Sequence, residues 1–173
     1  GTKPSSMTVT PAAFEAQMRY LAQNGYTVVP VSRLPAFLEG KAALPKKSVA
    51  ITIDDGYRST YEIAYPILKK YGFPATVYLY SDFVGAPDAL TWAQMKEMTA
   101  SGLVDIQPHS KTHSNLTMKL AGENEARYRE RVSSDLRGLR HYAIHFTKCG
   151  YLEVLSHQFE AGPEIAVADP AQN

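Results

Sequence analysis

The first half of the chain alternates between the hydrophobic patterns of helices and strands. Thr10 and Pro11 supply a helix cap and a proline at the first helical position, and apolar residues at positions 14, 18, 21 and 22 follow with helical spacing. They predict a helix over residues 11–24. Residues 26–31 are rich in β-branched side chains, which predicts a strand, and a second helix is predicted over residues 33–39.

An apolar run at residues 48–53 (Ser-Val-Ala-Ile-Thr-Ile) ends abruptly at Asp54, Asp55 and Gly56. Because the run is almost uninterrupted, it predicts a strand buried on both faces, as in a parallel sheet. Four further elements are predicted: a helix at 61–71 closed by Gly72, a strand at 75–80, a helix at 91–100 and a strand at 103–106. This repeated order predicts an α/β fold, in which ligand sites lie at the carboxyl ends of parallel strands.

The last third of the chain has a weaker pattern. Residues 123–140 predict a charged helix, with Ala126, Val132, Leu136 and Leu139 as its few apolar contacts. Residues 161–173 have the character of a loose tail. We expect one domain over residues 1–173, with a flexible N-terminus at residues 1–10.

Composition narrows the range of partners. The 173 residues are 45% hydrophobic and 20% charged, which suffices for one domain with its own core. The formal net charge of +1 gives no reason to expect a nucleic acid or an anionic membrane as partner. No apolar run approaches the roughly 20 residues that span a bilayer, and residues 1–4 lack the apolar core of a signal peptide. We therefore expect neither an integral membrane segment nor a signal peptide.

Asp54 and Asp55 are adjacent carboxylates at the end of an apolar strand. Two like charges this close resist joint ionisation, and a bound cation would remove the conflict. The alternative is a solvated turn, because Asp-Asp-Gly is also a good turn sequence. The single cysteine, Cys149, excludes an internal disulfide and a cysteine-rich zinc site, so a metal would have to use His, Asp or Glu.

His109 and His113 stand four residues apart, just after a predicted strand. On one helical turn or in a tight loop both imidazoles can converge on one ion, with Asp55 as the natural third ligand. The alternative is a pair of surface histidines. One carboxylate and two imidazoles leave open positions on a metal and suit zinc, iron, cobalt or nickel.

The segments 51–57 (Ile-Thr-Ile-Asp-Asp-Gly-Tyr) and 109–113 (His-Ser-Lys-Thr-His) resemble the first two motifs of the NodB-type polysaccharide deacetylases, carbohydrate esterase family 4. Residues 14–120, including Pro-Ile-Leu-Lys-Lys-Tyr-Gly-Phe-Pro-Ala-Thr at 66–76, are similar in particular to the branch acting on poly-β-1,6-N-acetylglucosamine of bacterial biofilms. The resemblance implies a distorted (β/α) barrel. It also implies hydrolysis of N-acetyl groups from an N-acetylglucosamine polysaccharide, with chitin and peptidoglycan as alternative substrates, in an extracellular, envelope or periplasmic location.

The same resemblance implies a role for each motif residue. Asp55, His109 and His113 would bind a divalent metal, zinc before iron, cobalt or nickel, and Asp54 would be the general base. His157, in Leu155-Ser156-His157, resembles the late histidine that serves as general acid, although an exposed histidine is the alternative. Residues 138–173 match the family poorly and lack its proline loop, which predicts a barrel incomplete at its C-terminus.

Two aromatic residues, Tyr57 and Trp92, are predicted to line a sugar groove, with packing in the core as the alternative. A second candidate metal group is His141, His145 and Cys149, spaced to share one helical face. Two other classes of function compete with the enzyme. A metal- or carbohydrate-binding domain that has lost turnover would bind without releasing acetate, whereas a structural α/β module would bind neither metal nor glycan.

Overall fold

The computed structural model describes residues 9–147, with side chains described as far as residue 137, and it confirms alternating helices and parallel strands. The described helices are α1 (Pro11–Gln23), α2 (Leu34–Leu38), α3 (Tyr65–Tyr71), α4 (Trp92–Ala100) and α5 (Glu125–Thr147). The described strands are β1 (Thr27–Val28), β2 (Ser48–Val49), β3 (Thr52–Asp55), β4 (Ala75–Leu79) and β5 (Val104–Pro108). None of the helices in this part of the chain has the length and apolar character needed to cross a membrane.

The strands form two parallel sheets. β1 pairs with β2, and the order of the other sheet is β3-β4-β5. In that second sheet Leu79 at the end of β4 pairs with Asp55 on one side and with Pro108 on the other. The carboxyl ends of all three strands therefore lie level with one another, and the residues that end or follow them meet at one edge.

The central strand β4 is the most buried element of this sheet. Val77 and Leu79 belong to a core cluster with α4 and β5, and Ala75 belongs to a second cluster with Met18 of α1 and Leu68 of α3. Helices α1, α3 and α4 thus pack against the face of β4 that carries Ala75, Val77 and Leu79, and they support its carboxyl end.

The helix starts follow local rules. Thr10 caps α1 by accepting a hydrogen bond from Ala13 N, and Thr91 forms a capping box with Gln94 at the start of α4. Gly72 closes α3 in the left-handed conformation at φ 66°. These ends were predictable because each depends on residues within four positions of one another.

The prediction of one doubly buried strand at residues 48–53 is wrong. The run divides into β2 and β3, which belong to different sheets, and Thr52 and Asp54 of β3 are exposed. Asp54 and Asp55 are the last residues of β3 and do not follow it. The division depends on partner strands that lie elsewhere in the chain, so the apolar run alone does not reveal it.

Smaller differences concern element ends and the face of α5. The strand predicted at 26–31 is reduced to β1, the helix predicted at 33–39 begins as a 3-10 turn at Val31–Arg33, and the helix predicted at 61–71 begins with a π-helical turn at Thr60–Ala64. Among the side chains of α5 described up to residue 137, Asp135 is buried, whereas Leu136 is 43% exposed. The predicted apolar face of this helix is therefore wrong at Leu136, and a carboxylate is buried next to it.

Candidate metal centre

Asp55, His109 and His113 come together at the carboxyl edge of the three-stranded sheet. Asp55 ends β3, and His109 follows the last residue of β5. The Nε2 atoms of His109 and His113 lie 3.9 and 3.2 Å from Asp55 Oδ1, and one ligand atom of each residue lies within 4.8 Å of the others. The structure thus places the three residues named by the sequence motifs within reach of one ion.

The donor set fits a divalent cation. Asp55 Oδ1 is buried and has no hydrogen-bond partner among the described residues, although His113 Nε2 is 3.2 Å away. A buried carboxylate oxygen without a partner is costly, and a cation held jointly with the two imidazoles would satisfy it. One carboxylate and two imidazoles are ligands typical of zinc, iron, cobalt and nickel sites with open positions.

The backbone around these ligands is strained. Asp55, Ser110 and His113 have positive φ values of 72°, 74° and 57°, which non-glycine residues rarely adopt. Gly56 follows Asp55 at φ 81°, and a Cβ atom there would lie 2.8 Å from Leu79 Cβ. Strain of this kind persists only where contacts with the surrounding residues hold the backbone in place.

We call residues 109–113 the histidine loop. His109 N donates to Leu79 O at 2.8 Å, which continues the pairing of β5 with β4. The segment after β4 binds the loop further along: Ser81 N donates to Ser110 O, Asp82 N donates to Lys111 O at 3.0 Å, and the Lys111 ammonium contacts the Asp82 carboxylate at 2.7 Å. The loop is therefore tied along its length to the turn that follows β4.

Asp135 of α5 also binds the histidine loop. Its carboxylate accepts hydrogen bonds from Lys111 N at 3.3 Å, Thr112 N at 2.8 Å and Thr112 Oγ1 at 2.6 Å. Asp135 is only 3% exposed. The two residues that it binds lie between the two histidines in sequence, so this carboxylate holds the middle of the histidine loop.

Aromatic rings extend from the candidate metal centre. Tyr80 stacks on His113 at 5.0 Å between ring centroids and on Phe83 at 5.0 Å, and Phe83 meets Tyr57 edge-on at 5.1 Å. We call Tyr80, Phe83 and Tyr57 the aromatic row. Burial raises the pKa of the Tyr80 hydroxyl above its ordinary value, with smaller contributions from Tyr57 and Asp55, so this hydroxyl stays protonated at neutral pH.

A domain model for polysaccharide deacetylases matches residues 41–152. That is well over half of the chain, and it includes both motifs and the whole candidate metal centre. The chain belongs to the polysaccharide deacetylase family. The match also reaches into residues 138–152, part of the segment that the sequence was expected to fit poorly.

Relatives of this family member include N-deacetylases named for poly-β-1,6-N-acetyl-D-glucosamine. The one from Staphylococcus aureus MRSA252 is 32% identical over 115 residues, covering 64% of this chain and 39% of that protein. The one from Escherichia coli K12 is 28% identical over 170 residues, covering 79% of this chain and 25% of that protein. The chain thus spans between a quarter and two fifths of the length of these curated relatives.

Solved deacetylase structures share the fold. IcaB from Ammonifex degensii superposes with a TM-score of 0.68 at 28% identity, covering 80% of this chain and 62% of that chain. The de-N-acetylase from Aggregatibacter actinomycetemcomitans gives a TM-score of 0.69 at 26% identity, covering 80% of this chain and 65% of that chain. This likeness confirms the predicted α/β fold of the polysaccharide deacetylase type.

Of the other site residues predicted from the sequence of this deacetylase-family chain, the structure describes some and leaves others outside the described residues. Asp54 is exposed beside the candidate metal centre. Tyr57 and Trp92 are 48% and 44% exposed, so neither is a core residue. The segments that carry them are joined by a backbone hydrogen bond, which Leu90 N donates to Gly56 O at 2.9 Å. His157 and Cys149 lie outside the described residues, as do the side chains of His141 and His145, so the second candidate metal group stays a sequence prediction.

Sequence reasoning missed three residues of this neighbourhood: Tyr80, Phe83 and Asp135. Tyr80 and Phe83 lie just after β4, the strand between β3 and β5. The rule that sites gather at the carboxyl ends of strands, applied to β4 as well, would have pointed to them. Asp135 gave no such signal, because a single acidic residue in a charged helix looks like a solvated one.

Proposed function

We propose that this chain carries the active site of a metal-dependent polysaccharide N-deacetylase. The observation that carries the proposal is the convergence of Asp55, His109 and His113 around a buried carboxylate oxygen without a hydrogen-bond partner, in a chain of this family. In the reaction, water adds to the carbonyl carbon of an N-acetyl group and the C–N bond breaks. The products are acetate and a free amine on the sugar.

In this proposal Asp55, His109 and His113 hold the divalent ion, and zinc is our first choice over iron, cobalt or nickel. A bound divalent ion supplies Lewis-acid chemistry, because it makes a nearby water more acidic and stabilises negative charge on the acetamide oxygen. The site has the required open side, since His113 is exposed and His109 is only partly buried. A metal held by three protein ligands keeps positions for water and substrate.

Asp54 is the proposed general base. Its carboxylate is exposed at the end of β3, while the adjacent Asp55 faces the two histidines. Asp54 is therefore available to accept a proton from the attacking water, the usual task of a carboxylate in general base catalysis. His157 remains our candidate for protonating the leaving amine, on the basis of the sequence motif alone.

For the substrate we propose a polymer of β-1,6-linked N-acetylglucosamine. The names of the relatives from Escherichia coli and Staphylococcus aureus support this choice over chitin or peptidoglycan. Tyr57, at the exposed end of the aromatic row, and Trp92 are the proposed sugar contacts, because flat aromatic faces suit the apolar faces of sugar rings. A polymer of this kind would be processed outside the cytoplasm, which supports an extracellular, envelope or periplasmic location.

The decisive experiment measures bound metal and acetate release together. The wild-type chain and its Asp54→Asn and His113→Ala variants are incubated with a β-1,6-linked N-acetylglucosamine oligomer, and a chitin oligomer and peptidoglycan serve as competing substrates. We expect Asp54→Asn to keep the metal and to lose about 10²- to 10⁴-fold in kcat. We expect His113→Ala to lose the metal and the activity with it.

The matched control for Asp54→Asn is Asp88→Asn, which makes the same chemical change at an exposed carboxylate that pairs with Arg58 at 3.2 Å. This control should keep both metal and activity. If the wild-type chain binds metal but neither it nor any variant releases acetate, turnover is rejected and the alternative of a binding domain is left. Absence of metal from the wild-type chain would reject the candidate metal centre itself.

A further inference from the structure

The buried carboxylate of Asp135 stands out among the contacts of the histidine loop. It lies 22 residues beyond His113, on a helix that the family motifs do not include. Burying a carboxylate is costly unless strong donors surround it. All three donors found for it here, Lys111 N, Thr112 N and Thr112 Oγ1, belong to the histidine loop.

The helix that carries Asp135 is itself fixed near the loop. The Tyr128 hydroxyl donates to Leu116 O at 2.7 Å, and the Arg131 guanidinium donates to Met118 O at 2.8 Å and to both carboxylate oxygens of Glu123. These bonds tie the first turns of α5 to the chain segment that leaves the histidine loop. The Asp135 carboxylate is therefore a fixed point on α5, against which Lys111 and Thr112 are held.

The histidine loop needs such a fixed point. Ser110 and His113 adopt left-handed backbone conformations, and a free loop would relax from them. The turn after β4 holds Ser110 and Lys111, as described above, whereas Asp135 holds Thr112, the residue directly before His113. Without Asp135, the half of the loop that carries His113 would lose the hydrogen bonds that hold Thr112 from outside the loop.

We propose that Asp135 is a positioning residue for the metal centre: it sets the distance between His109 and His113 before the ion binds. This inference rests on the proposed function only in taking the three ligands as a metal site. Residues that orient ligands from outside the coordination sphere commonly change metal affinity by about 10- to 100-fold when they are mutated. Asp135 acts through the backbone of the loop, so we expect an effect on the order of tenfold.

The first test variant is Asp135→Asn in the full chain. An asparagine can keep the two bonds that reach Oδ1 from Thr112, but its amide NH₂ then faces the N–H of Lys111, a donor against a donor. The control is Glu130→Gln, the same change at an exposed position of α5 that pairs with Arg137 at 3.4 Å. Affinity for Zn²⁺ is measured by competition with a coloured chelator, and ligand geometry is measured from the visible absorption of the Co²⁺-loaded chain.

A second pair of variants does not depend on the folding of Asp135→Asn. Thr112→Val removes the hydroxyl that donates to Asp135, and Thr112→Ser keeps it. We expect weaker Zn²⁺ binding and an altered Co²⁺ spectrum for Thr112→Val and recovery of both in Thr112→Ser. A role in folding alone would lower the unfolding midpoint of the metal-free chain but leave the Zn²⁺ affinity and the Co²⁺ spectrum of the folded fraction unchanged.

The outcomes separate this inference from the proposed function. Zn²⁺ affinity within twofold of wild type in both Asp135→Asn and Thr112→Val would overturn the positioning role. Weakened Zn²⁺ affinity in these variants, with normal affinity in the Glu130→Gln control, would support the positioning role. If in addition no acetate is released, only the deacetylase proposal fails. A wild-type chain that binds neither Zn²⁺ nor Co²⁺ would overturn the inference together with the metal centre.

Discussion

Gly56 is the position where the packing of the site can be tested most directly. It follows Asp55 at the end of β3, has a φ of 81°, and its carbonyl accepts a hydrogen bond from Leu90 N. A Cβ atom added there would lie 2.8 Å from Leu79 Cβ and 3.7 Å from Leu79 Cα. The first clash is with the Cβ atom of the buried Leu79. Because this atom does not move when Leu79 rotates about its own side-chain bonds, such a rotation cannot relieve the clash.

Two costs add in Gly56→Ala. An L-residue in the left-handed region costs about 1–2 kcal/mol, and overpacking a closely packed position costs about 1–3 kcal/mol. We therefore expect the free energy of unfolding to fall by about 2–5 kcal/mol. Gly72→Ala is the matched control, because Gly72 has a φ of 66° but nothing lies within 4 Å of its added Cβ. That variant carries only the backbone cost of about 1–2 kcal/mol.

The measurement is urea unfolding of both variants with a chelator present, so that metal binding does not contribute to stability. Equal losses for Gly56→Ala and Gly72→Ala would refute the close approach of Gly56 to Leu79. A larger loss for Gly56→Ala would confirm it. A metal titration of the same proteins adds a second reading, because a shift of β3 against β4 also moves Asp55 and should weaken binding in Gly56→Ala alone.

Two further predictions concern the core and the ion pair between Arg131 and Glu123. Leu68 is 0% exposed, so Leu68→Ala should lower the free energy of unfolding in urea by about 2–5 kcal/mol. Leu38 is 80% exposed, so the control Leu38→Ala should change it by less than about 0.5 kcal/mol. Similar losses in both variants would contradict the burial of Leu68 in the core. The Arg131 hydrogen bonds lower the pKa of Glu123 from 4.5 to about 2. Its stabilising contribution is therefore full above about pH 4.5 and is lost as the pH falls towards 2. Unfolding midpoints across that range should fall more steeply in the wild type than in Glu123→Gln, and parallel curves would contradict a stabilising role of the Arg131–Glu123 pair.

Parts of the fold that depend on neighbouring residues were predictable from the sequence. The caps of α1 and α4, the glycine that closes α3 and the position of β4 all agree with the prediction to within a residue or two. The three candidate ligands were also predictable, because Asp55 ends β3, His109 directly follows β5, and His113 belongs to the same short motif as His109. Their meeting at one edge follows from the parallel order of β3, β4 and β5.

Features set by distant partners were not predictable. The division of residues 48–53 into β2 and β3 is decided by pairing with β1 and β4, which the apolar run does not encode. The burial of Asp135 is decided by the three donors of the histidine loop, and hydrophobic periodicity treats an aspartate as a surface residue. In both places the local pattern is overridden by contacts between segments that are remote in sequence.

The geometry of the candidate metal centre depends on three segments of the chain, although two of them carry all the ligands. β3 presents Asp55 and β5 leads into the histidine loop, while α5 contributes no ligand and holds the loop through Asp135. A chain that keeps both motifs but loses Asp135 would still contain the same three ligand side chains. If preorganisation matters as the strained backbone of Ser110 and His113 indicates, such a chain should bind the same ions more weakly and with altered geometry. Metal affinity in this fold is then a property of α5 as well as of the motifs, and motif residues alone are insufficient to predict it.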